Sequence, residues 1–438
     1  MFGATSCLAF HLQFTTAPFP TAYVFLLSNI TADTLIIGEI VFERVVLVIR
    51  FCVGCLTRTI CYDRRQMFPR LSLPVCLLVL LLSVVTAFAQ SAPDREIAAA
   101  FAPVFHQALG DKPRSDYITN FDFDGDWRGD NNWEHTDDKS FPLRAYIYYS
   151  VCETSTHFFI HYAVFHPRDY KGGERKGLIL SEIIREGVKA AGDNDPTGLM
   201  SEAGVAHEND LEGVLVVVAK NGKDLKRARP VFVEAFHHSD FTPYVTGESA
   251  PKGFGLFRTE ERRVLFYVEP KGHGIEAYSG DEKQTAKKEK NKEFVIYKFT
   301  GKPEDPDKRK DDSVGYELLP IQTTLWPRAR MRKGEQNATY ATTYNYGQIS
   351  ISLMQSNHSA ETKKIEVGEV GAAFAGDSGG LNMARPPWAW FDKGRRDDPM
   401  GRWFFDPAAI VKRDFKLDDS FSTAYVRLPF WATEQVAH

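Results

Sequence analysis

The stretch Gly213-Val214-Leu215-Val216-Val217-Val218 follows directly on the polar segment His207-Glu208-Asn209-Asp210-Leu211-Glu212. An unbroken run of valine and leucine is typical of a strand that is buried on both faces. Because successive side chains of a strand point to opposite faces, Asp210 and Glu212 share one face at its entrance. His207 falls in the preceding loop, from which it can turn toward them. The sequence therefore predicts a central strand with a cluster of metal-ligand side chains at its entrance.

These side chains, from His207, Asp210 and Glu212, have the chemistry of a cation site. Carboxylate oxygens favour hard divalent cations, and a neutral imidazole also permits Zn²⁺ or Fe²⁺. We therefore predict one divalent metal ion at the strand entrance, and Ca²⁺ or Mg²⁺ is the expected ion.

The pattern His-x-x-Asp-x-Glu at a strand entrance resembles segments of two protein families. The necrosis-inducing (NLP) cytolysins carry Gly-His-Arg-His-Asp-Trp-Glu, and the family of vacuolar protein sorting-associated protein 62 carries His-Glu-Gly-Asp-Trp-Glu. This chain is more similar to the second family, because Arg229–His238 and Val268–Gly274 look like degraded forms of its strand–His and Gly-Ser-His-Ala segments. The similarity covers roughly residues 140–280.

The resemblance implies a function for the strand entrance. In the cytolysins the corresponding positions hold a divalent cation at a membrane-facing cleft, which implies the same role for His207, Asp210 and Glu212. Leu211 stands where the family has Trp, and Glu208-Asn209 stands where it has Glu-Gly. The metal ligands therefore carry over, whereas the aromatic contact does not.

The N-terminal part has the pattern of a processed leader. Residues 67–89 combine a short basic region, an apolar core too short to span a bilayer, and the cleavage pattern Ala87-Phe88-Ala89. They predict a secretory signal peptide, with a membrane anchor as the alternative. Residues 1–66 are then a mispredicted N-terminal extension, and residues 90–438 form the exported domain, secreted or periplasmic. Only Cys152 remains in that domain, so no disulfide within it is expected.

Charge and composition point to a class of partner. The formal net charge of -4 and the sequence pI of ≈ 6.3 imply no basic face for nucleic acid. The C-terminal residues 385–406 are rich in aromatic side chains. They predict either a loop that packs over the domain or an aromatic platform for a sugar or lipid headgroup. A glycan or a membrane lipid headgroup is therefore the expected partner.

Short aromatic or β-branched segments, bounded by Gly, Pro, Asp or Asn, predict strands through most of the exported domain. The expected strands are residues 143–151, 157–165, 211–219, 230–237, 263–269, 293–299, 314–320 and 339–353. Helices are expected from Asp94 to about Gly110, with an interruption near Pro103, and at residues 181–191. Because strand 211–219 is apolar on both faces, we predict a mainly β fold, a β-sandwich with a few peripheral helices.

A second acidic segment, Asp122-Phe123-Asp124-Gly125-Asp126-Trp127-Arg128-Gly129-Asp130, places carboxylates at alternate positions of a loop. Alternate residues of a tight turn can face one cation. The spacing resembles the calcium loops of integrin-type repeats, although Trp127 stands where those loops usually have Gly. The segment therefore predicts either a Ca²⁺ site made by Asp122, Asp124, Asp126 and Asp130 or a solvated acidic turn.

Further histidines stand at predicted strand ends, where they can reach the strand entrance: His237, His238 and His273. An imidazole beside a metal-bound water would serve as the general base of a hydrolase, with Glu276 as a further carboxylate. These three are candidate catalytic residues. His157 and His161 share a strand face with phenylalanines and are expected in the core instead.

The segment Gly376-Asp377-Ser378-Gly379-Gly380 reproduces the nucleophile segment of trypsin-like proteases. The chain lacks the Ala-Ala-His-Cys context of the catalytic histidine in those enzymes, and Leu381 replaces their usual Pro. We therefore predict a Gly-rich turn.

Together these patterns predict an exported β-sandwich protein that binds a divalent metal ion and acts in recognition at a membrane or glycan surface. A metal-dependent hydrolase using the same site is one alternative, and a structural cell-envelope protein is another. An activatable water on the metal ion would separate the first two.

Overall fold

The structure, a computed structural model, divides the chain into two compact units, Met1–Leu80 and Leu81–His438. In the first unit it describes two antiparallel strand pairs, β1 (Thr34–Leu35) with β4 (Phe51–Cys52) and β2 (Glu39–Phe42) with β3 (Val45–Val48). In the second unit it describes residues 94–169, 207–222, 224–237, 240–280, 294–331, 339–376, 384–392 and 400–428. The predicted signal peptide and the predicted helix at residues 181–191 lie outside the described residues.

Strands dominate the described residues of the second unit. In chain order they are β5 (Val104–Ala108), β6 (Tyr146–Thr154), β7 (His157–Asp169), β8 (His207–Ala219), β9 (Arg229–His237), β10 (Asp240–Val245), β11 (Gly255–Leu256), β12 (Thr259–Glu260), β13 (Arg263–Val268), β14 (Ile275–Ala277), β15 (Phe294–Phe299), β16 (Ser313–Pro320), β17 (Tyr340–Asn345), β18 (Gln348–Met354), β19 (Ala360–Glu366), β20 (Glu369–Phe374) and β21 (Tyr425–Arg427).

The helices among the described residues are short. They are α1 (residues 94–100), α2 (Asn132–Asp137), α3 (Leu325–Ala329), α4 (Arg402–Phe405) and α5 (Pro407–Asp414). A 3-10 turn, Pro113–Asp116, lies between β5 and α2. The mainly β prediction with few helices is therefore confirmed.

One sheet contains most of these strands, in the order β11-β10-β9-β8-β7-β6-β16-β15-β5-β13-β12. β8 is central and runs antiparallel to both β7 and β9. β14 pairs with β13, near the far end of the order, yet it packs against β8 and β9. The sheet therefore curls into a half-barrel, as accumulated strand twist allows. This corrects the β-sandwich prediction, because a single hydrogen-bonded sheet closes over its own inner face; β17 and β20 form a small separate sheet.

The apolar run in β8 is buried on both faces, as its sequence predicts. Val214 to Val218 have no exposed surface. The aromatic C-terminal segment covers one side, where the indole of Trp390 lies directly over Gly213 and donates a hydrogen bond to the Leu211 carbonyl at 3.1 Å. Trp388, Trp390 and Phe404 are fully or almost fully buried. The described part of this segment is therefore a packing element of the core.

Most predicted strands appear within a few residues of their expected bounds, and two expectations are wrong. The N-terminal helix does not resume after Pro103, because Val104–Ala108 pairs with β13 and β15 as a fully buried strand. The expected strand 339–353 is two strands, since Gly347 adopts a φ of 55° at the turn between them. Glycine is the residue that reaches this region without strain.

Candidate functional site

The entrance of β8 contains a local irregularity at Asn209. His207 begins the strand itself and does not lie in a preceding loop, which corrects the prediction. Asn209 has a φ of 56° inside the strand, a left-handed conformation that favours Gly and that Asn tolerates better than most residues. The strand is therefore irregular at this one residue of its entrance.

The imidazole of His207 turns to β7 and to its own backbone. Its Nδ1 lies 3.1 Å from the carbonyl oxygens of Glu208 and Asn209, and its Nε2 lies 3.5 Å from Asp169 Oδ2. Among the described residues, no group of three or more His, Cys, Asp or Glu side chains is placed to hold one metal ion. His207, Asp210 and Glu212 are therefore not assembled as one ligand set, and metal binding here stays a prediction.

Glu208 and its neighbour on β7, Arg168, connect the strand entrance to α2. Glu208 Oε1 accepts a hydrogen bond from the Trp133 backbone N–H at 3.0 Å. Arg168, which pairs with Glu208 in the register of β7 and β8, is 1% exposed and makes a bidentate ion pair with Asp137 at 2.8 and 3.0 Å. Its guanidinium also lies over the Trp133 ring. The buried charge of Arg168 is thus paired, and these bonds hold the strand entrance against α2.

Asp210 is part of a buried chain of three charged side chains. His273 donates from Nδ1 to Asp210 Oδ2 at 2.8 Å and from Nε2 to Asp116 Oδ1 at 3.2 Å. Asp116 also accepts the backbone N–H groups of Lys271 at 2.8 Å and Gly110 at 2.6 Å. Burial lowers the pKa of His273, but hydrogen bonds to Asp116 and Asp210 outweigh it and raise the pKa to about 10. His273 is therefore an imidazolium at neutral pH.

A second histidine stacks on this imidazolium. The rings of His166 and His273 are parallel within 6°, with centroids 3.7 Å apart. Burial, and then the charge of His273, hold the pKa of His166 well below its usual range. His166 donates from Nε2 to Gln107 Oε1 at 2.9 Å, because the Gln107 amide nitrogen donates to the Ala108 carbonyl. The lone pair of His166 is therefore on Nδ1, which lacks a hydrogen-bond partner among the described residues.

His237 shares a face of the sheet with Asp210 and Glu212. Val214 pairs with Ala235, and positions two apart on a strand share a face, so His237 and Glu212 both extend from that pair. The His237 ring packs on the backbone of Gly274, next to His273. Its Nδ1 lies 3.3 Å from Glu276 Oε1 and its Nε2 lies 3.8 Å from Glu269 Oε2.

His237 and His273 thus both lie beside the strand entrance, and a catalytic role for either of them stays a prediction. The hairpin of β13 and β14 packs against β8 and β9, and it carries Glu269, His273 and Glu276. His238 lies outside the described residues. We define the cluster of Asp116, His166, Asp210, Glu212, His237, Glu269, His273 and Glu276 as the entrance site.

Sequence patterns missed three members of the entrance site, Asp116, His166 and Glu269. Asp116 lies in an irregular stretch with no repeated spacing, and it reaches His273 only through the tertiary fold. His166 stands on the strand that pairs with the motif, directly opposite Asp210. A prediction of strand register would have found His166, since opposite residues of a pair are neighbours on one face.

The carboxylates of the acidic loop have separate protein partners. Asp122 accepts from the Asn120 amide at 2.8 Å, and Asp124 meets His135 Nδ1 at 2.6 Å. Asp126 accepts the Arg128 backbone N–H at 2.7 Å, and Asp130 pairs with the Arg128 guanidinium at 2.9 and 3.1 Å. Such bonds are those of a polar turn, and calcium binding by Asp122, Asp124, Asp126 and Asp130 stays a prediction.

Comparison with known proteins gives only distant likenesses. No protein-family model matches the sequence, and no curated protein is similar to it at a significant level. Similar solved structures include one described as a toxin fold for microbial attack and plant defense, with 14% identity, a TM-score of 0.18, and coverage of 32% of this chain and 47% of that chain. Another is Necrosis and Ethylene inducing Protein 2 from the causal agent of cocoa's Witches Broom disease, with 15% identity, a TM-score of 0.23, and coverage of 42% and 67%.

A third is NLPPya in complex with glucosamine, with 15% identity, a TM-score of 0.18, and coverage of 33% of this chain and 47% of that chain. The complex of NLPPya with mannosamine has the same identity and coverage and a TM-score of 0.19. This chain thus spans about half the length of the first solved structures it matches. TM-scores this low identify no family for the chain. In the part of the chain that the structure describes, no helix is long and apolar enough to cross a membrane.

Proposed function

We propose that this chain is an exported protein that uses a divalent cation at the entrance of β8 to recognise a glycan or a lipid headgroup. The observation that supports the proposal is the buried chain Asp210–His273–Asp116, with His273 at 0% and Asp116 at 1% exposure. Apolar side chains of similar volume would commonly be as stable or more stable there. A charged network kept in such a place favours a role other than folding.

Backbone strain is concentrated at the same place. Asn209, Lys271 and His273 have φ values of 56°, 73° and 53°, and all three are non-glycine residues. Lys271 donates its backbone N–H to Asp116, and His273 bonds Asp210, the neighbour of Asn209. Because such conformations are unfavourable and cluster at functional sites, they support a binding role for the entrance site.

Asp210 and Glu212 fit a hard cation better than the predicted triplet does. The structure gives His207 other partners, whereas the two carboxylates lie two residues apart on one strand face. Mg²⁺ is commonly held by one or two protein carboxylates, with water and ligand oxygens completing its shell. An ion bound by Asp210 and Glu212 would therefore keep positions for hydroxyl or phosphate oxygens of a headgroup.

The test is the metal content of the purified chain, followed by ligand binding with and without chelator. We expect about one equivalent of metal in the wild type, none in Asp210→Ala, and an unchanged amount in Asp224→Ala, whose half-exposed carboxylate pairs with Arg227. Binding to glycan arrays or anionic vesicles should then be lost in chelator. Equal metal content in Asp210→Ala and the wild type would refute the cation site.

A metal-dependent hydrolase is the second candidate, and the position of His237 favours it. This imidazole is 25% exposed in its side chain and lies between the carboxylates of Glu269 and Glu276 on the face of Asp210 and Glu212. An imidazole held in that way can take a proton from a metal-bound water. In a hydrolase, His237→Gln would lose turnover of a nitrophenyl ester or phosphate with its metal retained; in a binding protein it would keep ligand affinity.

A further inference from the structure

We propose that Asn209 is a positioning residue of the entrance site, which fixes the carboxylate of Asp210 by tying the β8 entrance to three other segments. The relevance of this role to cation binding rests on the proposed function, whereas the positioning itself does not. The residue stands between Glu208, which bonds α2, and Asp210, which bonds His273.

The side chain of Asn209 is fully buried and makes three hydrogen bonds. Its Nδ2 donates to the carbonyl oxygens of Gly129, at 2.8 Å, and Ala375, at 2.7 Å. Its Oδ1 accepts from Asn132 Nδ2 at 2.6 Å. One amide thus joins the acidic loop, the first residue of α2 and the segment after β20 to the strand entrance.

The junction around Asn209 has no spare room. A Cβ atom on Gly129 would lie 2.4 Å from the Ala375 carbonyl oxygen and 2.9 Å from Asn209 Nδ2. Contacts that short do not occur, so the acidic loop approaches Asn209 only because residue 129 is Gly. The chain therefore has two matched features, a glycine on the loop and an amide on the strand, that serve this one junction.

The backbone alone does not require Asn at this position. Gly reaches a φ of 56° more easily than Asn, so a glycine at position 209 would adopt the same backbone conformation. The three hydrogen bonds are what Asn adds. They act one residue away from Asp210, whose partner His166 on β7 and whose hydrogen bond to His273 both depend on where the entrance lies. Loss of the side chain should therefore move Asp210 relative to His273.

The experiment compares Asn209→Gly with the wild type by proton NMR of the His273 ring N–H groups and by Mn²⁺ titration. His273→Gln assigns the resonances by their loss. His358→Gly is the matched control, since His358 also has a positive φ, of 63°, but is exposed in the turn between β18 and β19. Gly129→Ala disturbs the same junction from the loop side.

We expect the downfield His273 signals of the wild type to shift or broaden in Asn209→Gly and Gly129→Ala, and to persist unchanged in His358→Gly. Mn²⁺ affinity should fall about tenfold or more in the first two variants, as for other residues that hold a metal ligand in place. Unchanged His273 signals in Asn209→Gly would overturn the positioning role. A wild type that binds no Mn²⁺ but shows the altered signals in Asn209→Gly would refute the cation site and leave the positioning role supported.

Discussion

Replacing His273 by Gln should strongly destabilise the protein, because it removes the one positive charge between two buried carboxylates. The side chains of His273, Asp116 and Asp210 are 0%, 2% and 11% exposed, so little water can screen the two anions. Breaking a buried ion pair by removing one partner typically costs about 3–5 kcal/mol. Two backbone N–H groups still donate to Asp116, which limits the loss, so we expect a decrease of roughly 3 kcal/mol in the free energy of unfolding.

Urea denaturation at neutral pH, in chelator and monitored by circular dichroism and tryptophan fluorescence, measures this decrease directly. The control is His135→Gln, because the His135–Asp124 pair is as short, at 2.6 Å, but His135 is 31% exposed in its side chain. Water reaches His135, and Asp124 keeps a hydrogen bond from the Asp126 backbone N–H, so loss of this imidazole should cost less than loss of His273. If His273→Gln cost no more than His135→Gln, the Asp210–His273–Asp116 chain would not be a charged network, and the reasoning would be wrong.

Other parts of the structure give further predictions. Burial lowers the pKa of His161 from 6.5 to about 4, so the neutral ring's contribution to stability is present above pH 6.5 and is lost as the pH falls toward 4. Between pH 6.5 and pH 4, the free energy of unfolding measured in urea should therefore decrease by roughly 3 kcal/mol less in His161→Gln than in the wild type. Gly213→Ala should lower stability by about 1–3 kcal/mol, because its Cβ would lie 2.5 Å from the Trp390 ring; a melting temperature equal to wild type would contradict that packing. A calcium site in the acidic loop predicts that Ca²⁺ raises the melting temperature of the wild type but not that of Asp126→Asn.

Regular elements were predictable because their signals are local. Alternation and β-branched composition predicted the β6–β7 hairpin, which extends over Tyr146–Thr154 and His157–Asp169, and the buried strand through residues 211–219. The curled sheet was not predictable in this way. It depends on strand order, and β5 joins β13 and β15, which follow it by more than a hundred residues in the chain. A strand buried on both faces satisfies a sandwich and a half-barrel equally, so its pattern could not separate them.

The candidate site was predicted only in part, because local sequence patterns show some of its residues and not others. The motif predicted Asp210, and the expected position of His273 near a strand end predicted that it could approach the strand entrance; in the structure the two side chains are hydrogen-bonded. The prediction of a loop at His207 was wrong, because the strand begins at His207 and continues through Asn209, whose left-handed conformation interrupts the regular alternation of side chains. His207 lies on the far side of that irregularity and turns to Asp169. A single residue with an unusual φ thus separates the predicted ligand set into two parts.

That separation changes what the entrance of β8 can do. A triplet of one imidazole and two carboxylates would supply three of the ligands of a divalent ion. With Asp210 held by His273 and with Glu212 two residues along the strand, the protein supplies carboxylates from one side only. The remaining coordination positions would then have to be filled by water or by a ligand. If the proposed ion binds there, this arrangement favours recognition through the ion over a structural role for it. The affinity for the ion would then depend on how rigidly His273 and Asn209 hold the Asp210 carboxylate.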